Sequence, residues 1–185
     1  DRDFVEFPSQ LHEHWMFEPE LLKTYARHYK TGEVIPDSLV EKLTASAKFN
    51  QGFVNTELVG AALLDLEWHK LQDLDNVDAA AFEAGVAKKL GMPEEIQFRY
   101  RSTYFNHIFS SDQYAAGYYT YLWAQVLDCD GFEVFQKHGI FDPETSAKLK
   151  HVLESGNDED PMVLYEGFAG HRPTPEALLR DKGLE

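Results

Sequence analysis

Residues 53–71 read FVNTELVGAALLDLEWHKL, and this stretch indicates the class of fold. Its apolar side chains lie nearly all round a helical wheel, at Val54, Leu58, Ala61, Ala62, Leu64 and Leu66. A surface helix carries a single apolar stripe, whereas a helix that is apolar on most sides is usually buried. The stretch therefore predicts a long central helix against which other helices pack.

The segments on both sides of this stretch also follow helical patterns. Pro19 and Pro143 stand where a proline opens a helix, and Asp142 is available to cap the second of these helices. Gly32 and Gly156 stand where a glycine ends one. The periodicity fails between residues 92 and 112, which we expect to be irregular and rich in aromatic side chains.

A last long helix is predicted from Gln113 to about His138. No internal repeat or low-complexity linker interrupts the 185 residues. We therefore predict an all-α fold in which residues 1–185 form a single helical unit.

Composition limits the classes of partner. The chain has 17 Lys and Arg against 32 Asp and Glu, which gives a formal net charge of −15. Such a surface repels phosphates, so nucleic acid and anionic membranes are not expected partners. No apolar run approaches the roughly 20 residues that cross a bilayer. Cys129 is the only cysteine and lies between two aspartates, which raise a thiol pKa, so we expect a packed, unreactive thiol.

The segment YAAGYYTYLW, residues 114–123, carries four tyrosines. On a helix, the spacings of four and three would place Tyr114, Tyr118 and Tyr121 on one face. His107 lies a few residues upstream. Imidazole and phenol both donate hydrogen bonds to an oxygen that gains negative charge, as a carbonyl oxygen does when water attacks it. The residues alone leave two interpretations open. They form either a reaction site or a set of core aromatic residues whose hydroxyl groups contact solvent.

The first helix carries histidines and carboxylates without a complete metal motif. His12 and His14 are two residues apart and so point to different sides of a helix, which prevents them from binding one ion. Glu6 and Glu13 share a helical face. Exposed carboxylates of this kind are usually solvated. A carboxylate among aromatic residues at a helix start is also a candidate metal ligand, which makes Glu6 the residue to follow.

Two long segments resemble a known family. DFVEFPSQLHEHW, residues 3–15, and HIFSSDQYAAGYYTYLWAQVLDCDGF, residues 107–132, resemble the C-terminal part of the thimet oligopeptidase family of zinc metallopeptidases, most of all its bacterial peptidyl-dipeptidases. The shorter stretches TYARHYKTG, VGAALLDLEWHKL, RYRSTYFNHIF and ALLRDKGL extend the likeness over essentially the whole chain. The resemblance implies the helical C-terminal part of a two-lobed, zincin-like peptidase with a deep substrate channel.

The resemblance also implies roles for particular residues. Glu6 matches the third zinc ligand of the family, and Tyr121 matches the tyrosine that stabilises the oxyanion during peptide hydrolysis. His107 and Tyr114 match residues that bind the substrate backbone or assist Tyr121. Tyr118 is a weaker substrate-binding candidate on the same face.

One departure from the family pattern is plain. The family takes two zinc ligands and its general base from an HExxH helix, and no HExxH occurs in these 185 residues. A single carboxylate cannot hold a catalytic zinc that takes three protein ligands. We therefore expect the chain to be a C-terminal portion of the catalytic domain, inactive alone and completed by the N-terminal remainder of the enzyme.

The expected reaction is release of dipeptides from the C-termini of short peptides, with one zinc ion as cofactor. Such an enzyme needs a cation to bind the terminal carboxylate, and Arg101 or Arg99 is available. Two alternatives stay open, an internally cleaving oligopeptidase of the same family and a non-catalytic helical interaction domain. We expect a cytoplasmic location from the lone cysteine, with a periplasmic location left open.

Overall fold

The computed structural model describes residues 1–156 and 158–185. The regular secondary structure of these residues is helical. The β-pairing found in them is an isolated antiparallel bridge between Arg27 and Val34. The predicted all-α class is confirmed. The chain divides into two compact units, one made of Asp1, Asp3–Phe49 and Ala124–Glu185 and the other of Arg2 and Asn50–Trp123. We call them the first and the second unit.

The α-helices follow one another along the chain, and the longest connection between them, residues 91–105, precedes α6. In chain order they are α1 (Phe7–Phe17), α2 (Pro19–Tyr25), α3 (Asp37–Ala47), α4 (Gln51–His69), α5 (Ala79–Leu90), α6 (Asn106–Phe109), α7 (Thr120–His138), α8 (Pro143–Ser155), α9 (Pro161–Ala169) and α10 (Glu176–Lys182). Short 3-10 turns lie at Arg2–Phe4 and Ser102–Tyr104. In the described residues, no helix combines the length and the apolar character needed to cross a bilayer.

Several predicted helix ends are confirmed. Helices α2 and α8 begin at Pro19 and Pro143, and the Asp142 carboxylate accepts a hydrogen bond from the backbone N–H of Thr145. Gly156 follows the last residue of α8. The predicted end of the second helix at Gly32 is wrong, because α2 stops at Tyr25.

The core of the first unit is aromatic. Phe7 and Leu11 of α1 are fully buried, and Phe7 contacts the Tyr165 ring edge-on at 5.6 Å between centroids. Gly131 of α7 permits close packing here, since a Cβ at this position would lie 3.1 Å from Cε1 of Phe168. The lack of a side chain at Gly131 thus lets α9 approach the α7 backbone.

The second unit is built on α4. Leu58, Ala61, Ala62 and Leu64 are buried as predicted, whereas Val54 is 44% exposed near the start of the helix. Leu58, Ala61 and Ala62 pack with the buried side chains of Phe105, Ile108 and Tyr118. The segment that lacks periodicity therefore supplies one side of this core, because Phe105 and Ile108 reach it from the turn before α6 and from α6 itself.

The predicted start of the last long helix at Gln113 is wrong. Residues 113–119 form bends and turns, and α7 begins at Thr120. The interruption coincides with Ala116, which adopts a left-handed backbone conformation with φ of +55°. A residue in that conformation cannot continue a right-handed helix, which requires negative φ. The continuation of α7 to His138 is confirmed.

A buried hydrogen bond in the first unit gives a stability prediction. The Tyr165 side chain is fully buried, and its hydroxyl lies 2.5 Å from Oδ2 of Asp130. Tyr165→Phe removes a donor from a buried carboxylate, so we expect the free energy of unfolding to fall by roughly 1.5–3 kcal/mol. Urea unfolding measures the change. Tyr29→Phe is the control, since Tyr29 is 85% exposed, and we expect it to change stability by less than about 0.5 kcal/mol. Equal stabilities for the two variants would contradict the assignment.

Candidate functional site

His107, Tyr114, Tyr118 and Tyr121 come together in the second unit, and we call them the tyrosine cluster. His107 lies on α6, Tyr114 and Tyr118 lie in the turn before α7, and Tyr121 lies in the first turn of α7. The imidazole Nε2 of His107 is 2.6 Å from the hydroxyl of Tyr121. The rings of Tyr114 and Tyr121 stack in parallel at 5.6 Å. The residues predicted to share a helical face thus converge, although a turn rather than a helix brings them together.

The members of the cluster differ in exposure. His107 is exposed, Tyr114 and Tyr121 are half-buried, and Tyr118 is only 4% exposed. Burial, followed by a hydrogen bond with Tyr100, raises the pKa of the Tyr118 hydroxyl far above its usual range. Tyr118 is therefore a core ring that contacts the rings of His107 and Tyr121, which for this residue agrees with the interpretation as a core aromatic.

The short contact between His107 and Tyr121 defines the chemistry available here. When Nε2 of His107 carries hydrogen, the imidazole donates to the phenol oxygen, and Tyr121 can direct its own hydrogen to another acceptor. When Nε2 is unprotonated, the phenol donates to the imidazole instead. The pair can therefore supply either a phenol O–H or an imidazole N–H to an oxygen that gains charge.

Asp65 is the residue near this cluster that the sequence analysis did not single out. It lies inside α4, is fully buried, and accepts hydrogen bonds from the backbone N–H groups of Ala116 and Tyr118. The available signal was an acidic residue in the middle of an otherwise apolar helix, four residues before His69. A carboxylate is not expected in a core without hydrogen-bond partners. The tertiary structure shows that backbone N–H groups from a distant turn are those partners.

Arg101, the candidate for binding a substrate carboxylate, already has one anionic partner. Its Nε lies 2.9 Å from Oε1 of buried Glu83, and the Arg101 side chain is 46% exposed. Glu83 also accepts hydrogen bonds from the backbone N–H and the hydroxyl of Ser102, at 2.8 and 3.0 Å. The guanidinium of Arg99 lies 5.9 Å from the centre of the Tyr100 ring. Of the two arginines, Arg101 is thus oriented by a buried network.

Glu6 occupies the N-cap position of α1 in the first unit. Its Oε2 lies 3.2 Å from the hydroxyl of Ser9, which is also 3.0 Å from the main-chain oxygen of Glu6. A carboxylate that a neighbouring hydroxyl orients is a fitting zinc ligand, since hydrogen bonds to a ligand fix its direction. Glu6 fits zinc as one donor, and an HExxH segment, which the family resemblance implies for two further ligands, does not occur in the 185 residues.

A second group of possible metal donors lies elsewhere in the first unit. Ligand atoms of His14, Asp128 and Cys129 lie within 4.8 Å of one another, and Nε2 of His14 is 2.6 Å from Oδ1 of Asp128. Burial and then the charge of Asp128 raise the pKa of the Cys129 thiol well above its usual range. Cys129 is also buried, so its packing and the direction of its pKa agree with the expectation of an unreactive thiol. Zinc binds the thiolate, so a metal here would first have to displace a tightly held proton.

Comparison with known proteins identifies the family. Residues 1–184 match the family model described as Peptidase family M3. The chain belongs to peptidase family M3. This membership agrees with the resemblance of the two long segments to zinc metallopeptidases, because the M3 family uses zinc.

Curated M3 relatives show where within the family the likeness is strong. The chain is 43% identical to the dipeptidyl carboxypeptidase of Escherichia coli over 99% of its own length. It is 36% identical to oligopeptidase A of the same organism over 99% of its length, and 29% identical to the thimet-like oligopeptidase of Dictyostelium discoideum over its full length. The chain spans only 27–28% of the length of these relatives.

Proposed function

We propose that the chain is part of a zinc peptidase that hydrolyses short peptides and releases dipeptides from their C-termini. The observation that carries the proposal is the 2.6 Å contact between His107 and Tyr121 inside the tyrosine cluster. Membership of peptidase family M3 and the 43% sequence identity to a dipeptidyl carboxypeptidase support peptides as the class of substrate. Both units are proposed to belong to one catalytic domain, whose other part is an N-terminal remainder of the same enzyme.

In this proposal the chain's own residues bind the peptide and stabilise charge. Tyr121 donates its phenol hydrogen to the scissile carbonyl oxygen as that oxygen becomes negative. His107 donates to the Tyr121 oxygen, which directs the phenol hydrogen towards the peptide. Tyr114, stacked on Tyr121 at 5.6 Å, contacts the substrate backbone, and Tyr118 supports the other rings from the core.

Glu6 is proposed as one protein ligand of the zinc ion. Zinc supplies Lewis-acid polarisation of the scissile carbonyl and activation of water when it is bound. The Ser9 hydroxyl, which lies 3.2 Å from Oε2 of Glu6 and 3.0 Å from its main-chain oxygen, can donate its one hydrogen to the carboxylate and so help to orient it. The other two ligands and the general base are proposed to come from an HExxH segment outside these residues. The reading frame upstream of Asp1 tests this, with HExxH expected roughly 25 residues before Glu6 by likeness to the family pattern.

Preference for a free C-terminus requires a cation, and Arg101 is proposed for this role. Its pairing with Glu83 through Nε holds the guanidinium in place, while 46% of the side chain stays exposed. A guanidinium forms two parallel hydrogen bonds with a carboxylate, which suits recognition of a peptide terminus. The lone cysteine fits a cytoplasmic location, which we include in the proposal.

The second candidate is an oligopeptidase that cleaves internally. The 36% identity with oligopeptidase A of Escherichia coli favours it. The two activities differ in their need for a free carboxylate, so the relative hydrolysis of free-acid and amidated peptides distinguishes them. A third candidate, a non-catalytic interaction domain, would show no hydrolysis of either peptide.

Tyr121→Phe tests the proposed oxyanion donor. In the full-length enzyme, loss of one such donor should lower kcat by roughly 10²–10³-fold, while KM changes little because the bond forms mainly in the transition state. Steady-state hydrolysis of a short peptide measures both constants. Tyr119→Phe is the matched control, since Tyr119 is 42% exposed and lies outside the cluster. A Tyr121→Phe rate within about threefold of the parent would remove Tyr121 from the mechanism.

Glu6→Gln tests the proposed zinc ligand. We expect the purified full-length variant to retain less zinc than the parent, because an amide is a far weaker ligand than a carboxylate. Metal analysis after dialysis against a weak chelator measures this. Glu13→Gln on the same helix should keep the parent's zinc, and Cys129→Ala should do so as well. Zinc loss in Cys129→Ala but not in Glu6→Gln would assign the metal to the His14, Asp128 and Cys129 group instead.

Arg101→Gln tests recognition of the peptide terminus. The ratio of kcat/KM for a free-acid peptide to that for its amide should fall by roughly 10-fold or more, the loss expected for one charged hydrogen bond. Loss of the ion pair with Glu83 could lower kcat/KM for every substrate. Such a loss would affect both peptides equally and so leave the ratio unchanged. Arg99→Gln serves as control. An unchanged ratio in Arg101→Gln would exclude Arg101 from this role.

A further inference from the structure

The turn between α6 and α7 is held by a buried charge. Asp65 on α4 is fully buried within the second unit. Placing an ionised carboxylate in a core is costly unless hydrogen bonds or opposite charges compensate it. The partners that compensate Asp65 therefore indicate what the residue is for.

Asp65 uses both oxygens on the same short segment. Oδ1 accepts a hydrogen bond from the backbone N–H of Ala116 at 3.0 Å, and Oδ2 accepts one from the backbone N–H of Tyr118 at 2.9 Å. The imidazole Nδ1 of His69 lies 2.8 Å from Oδ1 and 2.9 Å from the main-chain oxygen of Asp65. Nδ1 also lies 3.3 Å from the backbone nitrogen of Ala116. The two oxygen acceptors are closer, which favours the form in which Nδ1 carries hydrogen and donates to Asp65.

The segment that Asp65 binds has a strained backbone. Ala116 has φ of +55°, a left-handed conformation that costs an alanine roughly 1–2 kcal/mol. The turn is also tight at the next residue, where a Cβ on Gly117 would lie 3.3 Å from Cα and O of Tyr114. A strained conformation persists only where surrounding structure enforces it, and such conformations concentrate at functional sites. The hydrogen bond to the Ala116 N–H supplies that constraint directly.

The strained turn carries the phenols of the tyrosine cluster. Tyr114 precedes Ala116 by two residues, Tyr118 is itself bound through its N–H, and Tyr121 follows one turn later. The ring of His107 contacts the rings of Tyr114 and Tyr121 at 4.9 and 5.6 Å between centroids. Because these contacts depend on where the turn lies, release of the Ala116 and Tyr118 amides would displace the rings relative to His107.

We propose that Asp65, oriented by His69, is a positioning residue that holds the turn of residues 114–118 so that Tyr114 and Tyr121 face the substrate. Asp65 touches no reacting atom and acts through the backbone of the turn. The inference rests on the proposed peptidase function for its catalytic consequence. The hydrogen bonds themselves can be tested without it.

Asp65→Asn in the full-length enzyme is the main test. An asparagine keeps the shape of the side chain, but its NH₂ group faces one of the two N–H donors, so one hydrogen bond is lost. We expect kcat to fall by roughly 10–100-fold with KM within about threefold, because a small misplacement acts mainly on the transition state. Zinc content should match the parent. The control is Asp73→Asn, which should leave both constants unchanged, because the Asp73 carboxylate is exposed and accepts a hydrogen bond from the nearby Asp75 N–H.

Amide hydrogen exchange gives a readout that does not depend on activity. In Asp65→Asn the peptide containing residues 114–119 should exchange faster than in the parent, while peptides from α8 and α9 exchange at the parent rate. Adding Ala116→Gly should restore kcat by roughly threefold, because glycine adopts the left-handed conformation without strain. A general structural defect would not be relieved by a glycine in this turn.

The outcomes separate the two proposals. Parent-like kcat in Asp65→Asn, or slow turnover with unchanged exchange at residues 114–119, would overturn the positioning role. If the parent itself hydrolyses no peptide, the proposed function fails, and the exchange measurement alone then decides the role of Asp65 in holding the turn. If Asp65→Asn does not fold, the milder His69→Gln variant takes its place, and unchanged exchange and turnover in that variant would likewise overturn the proposal.

Discussion

Burial of charge is the constraint on which the local architecture depends. In the described part of the chain four carboxylates are buried, those of Asp65, Glu83, Asp128 and Asp130. Each is compensated by groups that are distant in sequence, because helix interiors leave no backbone N–H groups for a neighbouring carboxylate. Because these carboxylates need hydrogen-bond partners, the segments that supply the partners are held in one conformation. Apolar packing is non-directional and would permit several conformations.

The second unit shows the effect most clearly. Asp65 binds two amides of the turn before α7, and Glu83 binds the N–H and hydroxyl of Ser102 together with Arg101. Both carboxylates thus tie an irregular segment to a regular helix. Irregular segments carry their own polar backbone groups, and a buried acceptor on a rigid helix satisfies them at a defined place. This arrangement holds each irregular segment at a defined place relative to its helix.

The tyrosine cluster combines a rigid base with accessible groups. Tyr118 is buried against Phe105 at 5.1 Å between centroids, and burial raises its pKa, so it stays a neutral core ring. His107 and Tyr121 lie above it, with their polar atoms 2.6 Å apart. Packing holds the Tyr118 ring in the core, and the rings of His107 and Tyr121 contact it. The same cluster therefore contains both core aromatics and candidate reactive groups.

The sequence by itself determined the all-α class, the helix starts at Pro19 and Pro143, the cap at Asp142 and the selection of His107, Tyr114 and Tyr121 as one group. These follow from local rules, since periodicity, proline geometry and capping act over a few residues. The family likeness was equally readable, because it is carried by contiguous segments.

Only the tertiary structure decided that α7 begins at Thr120, that Tyr118 is a core ring, and that Asp65 binds the turn. Residues 113–119 have a sequence that suits a helix, and the left-handed conformation at Ala116 is maintained by a carboxylate 51 residues away. Periodicity and capping rules describe residues that are close along the chain, so they cannot predict a contact between distant segments. Hydrogen bonds between distant segments overrode local helical preference here, because an unsatisfied buried carboxylate costs more than one strained residue.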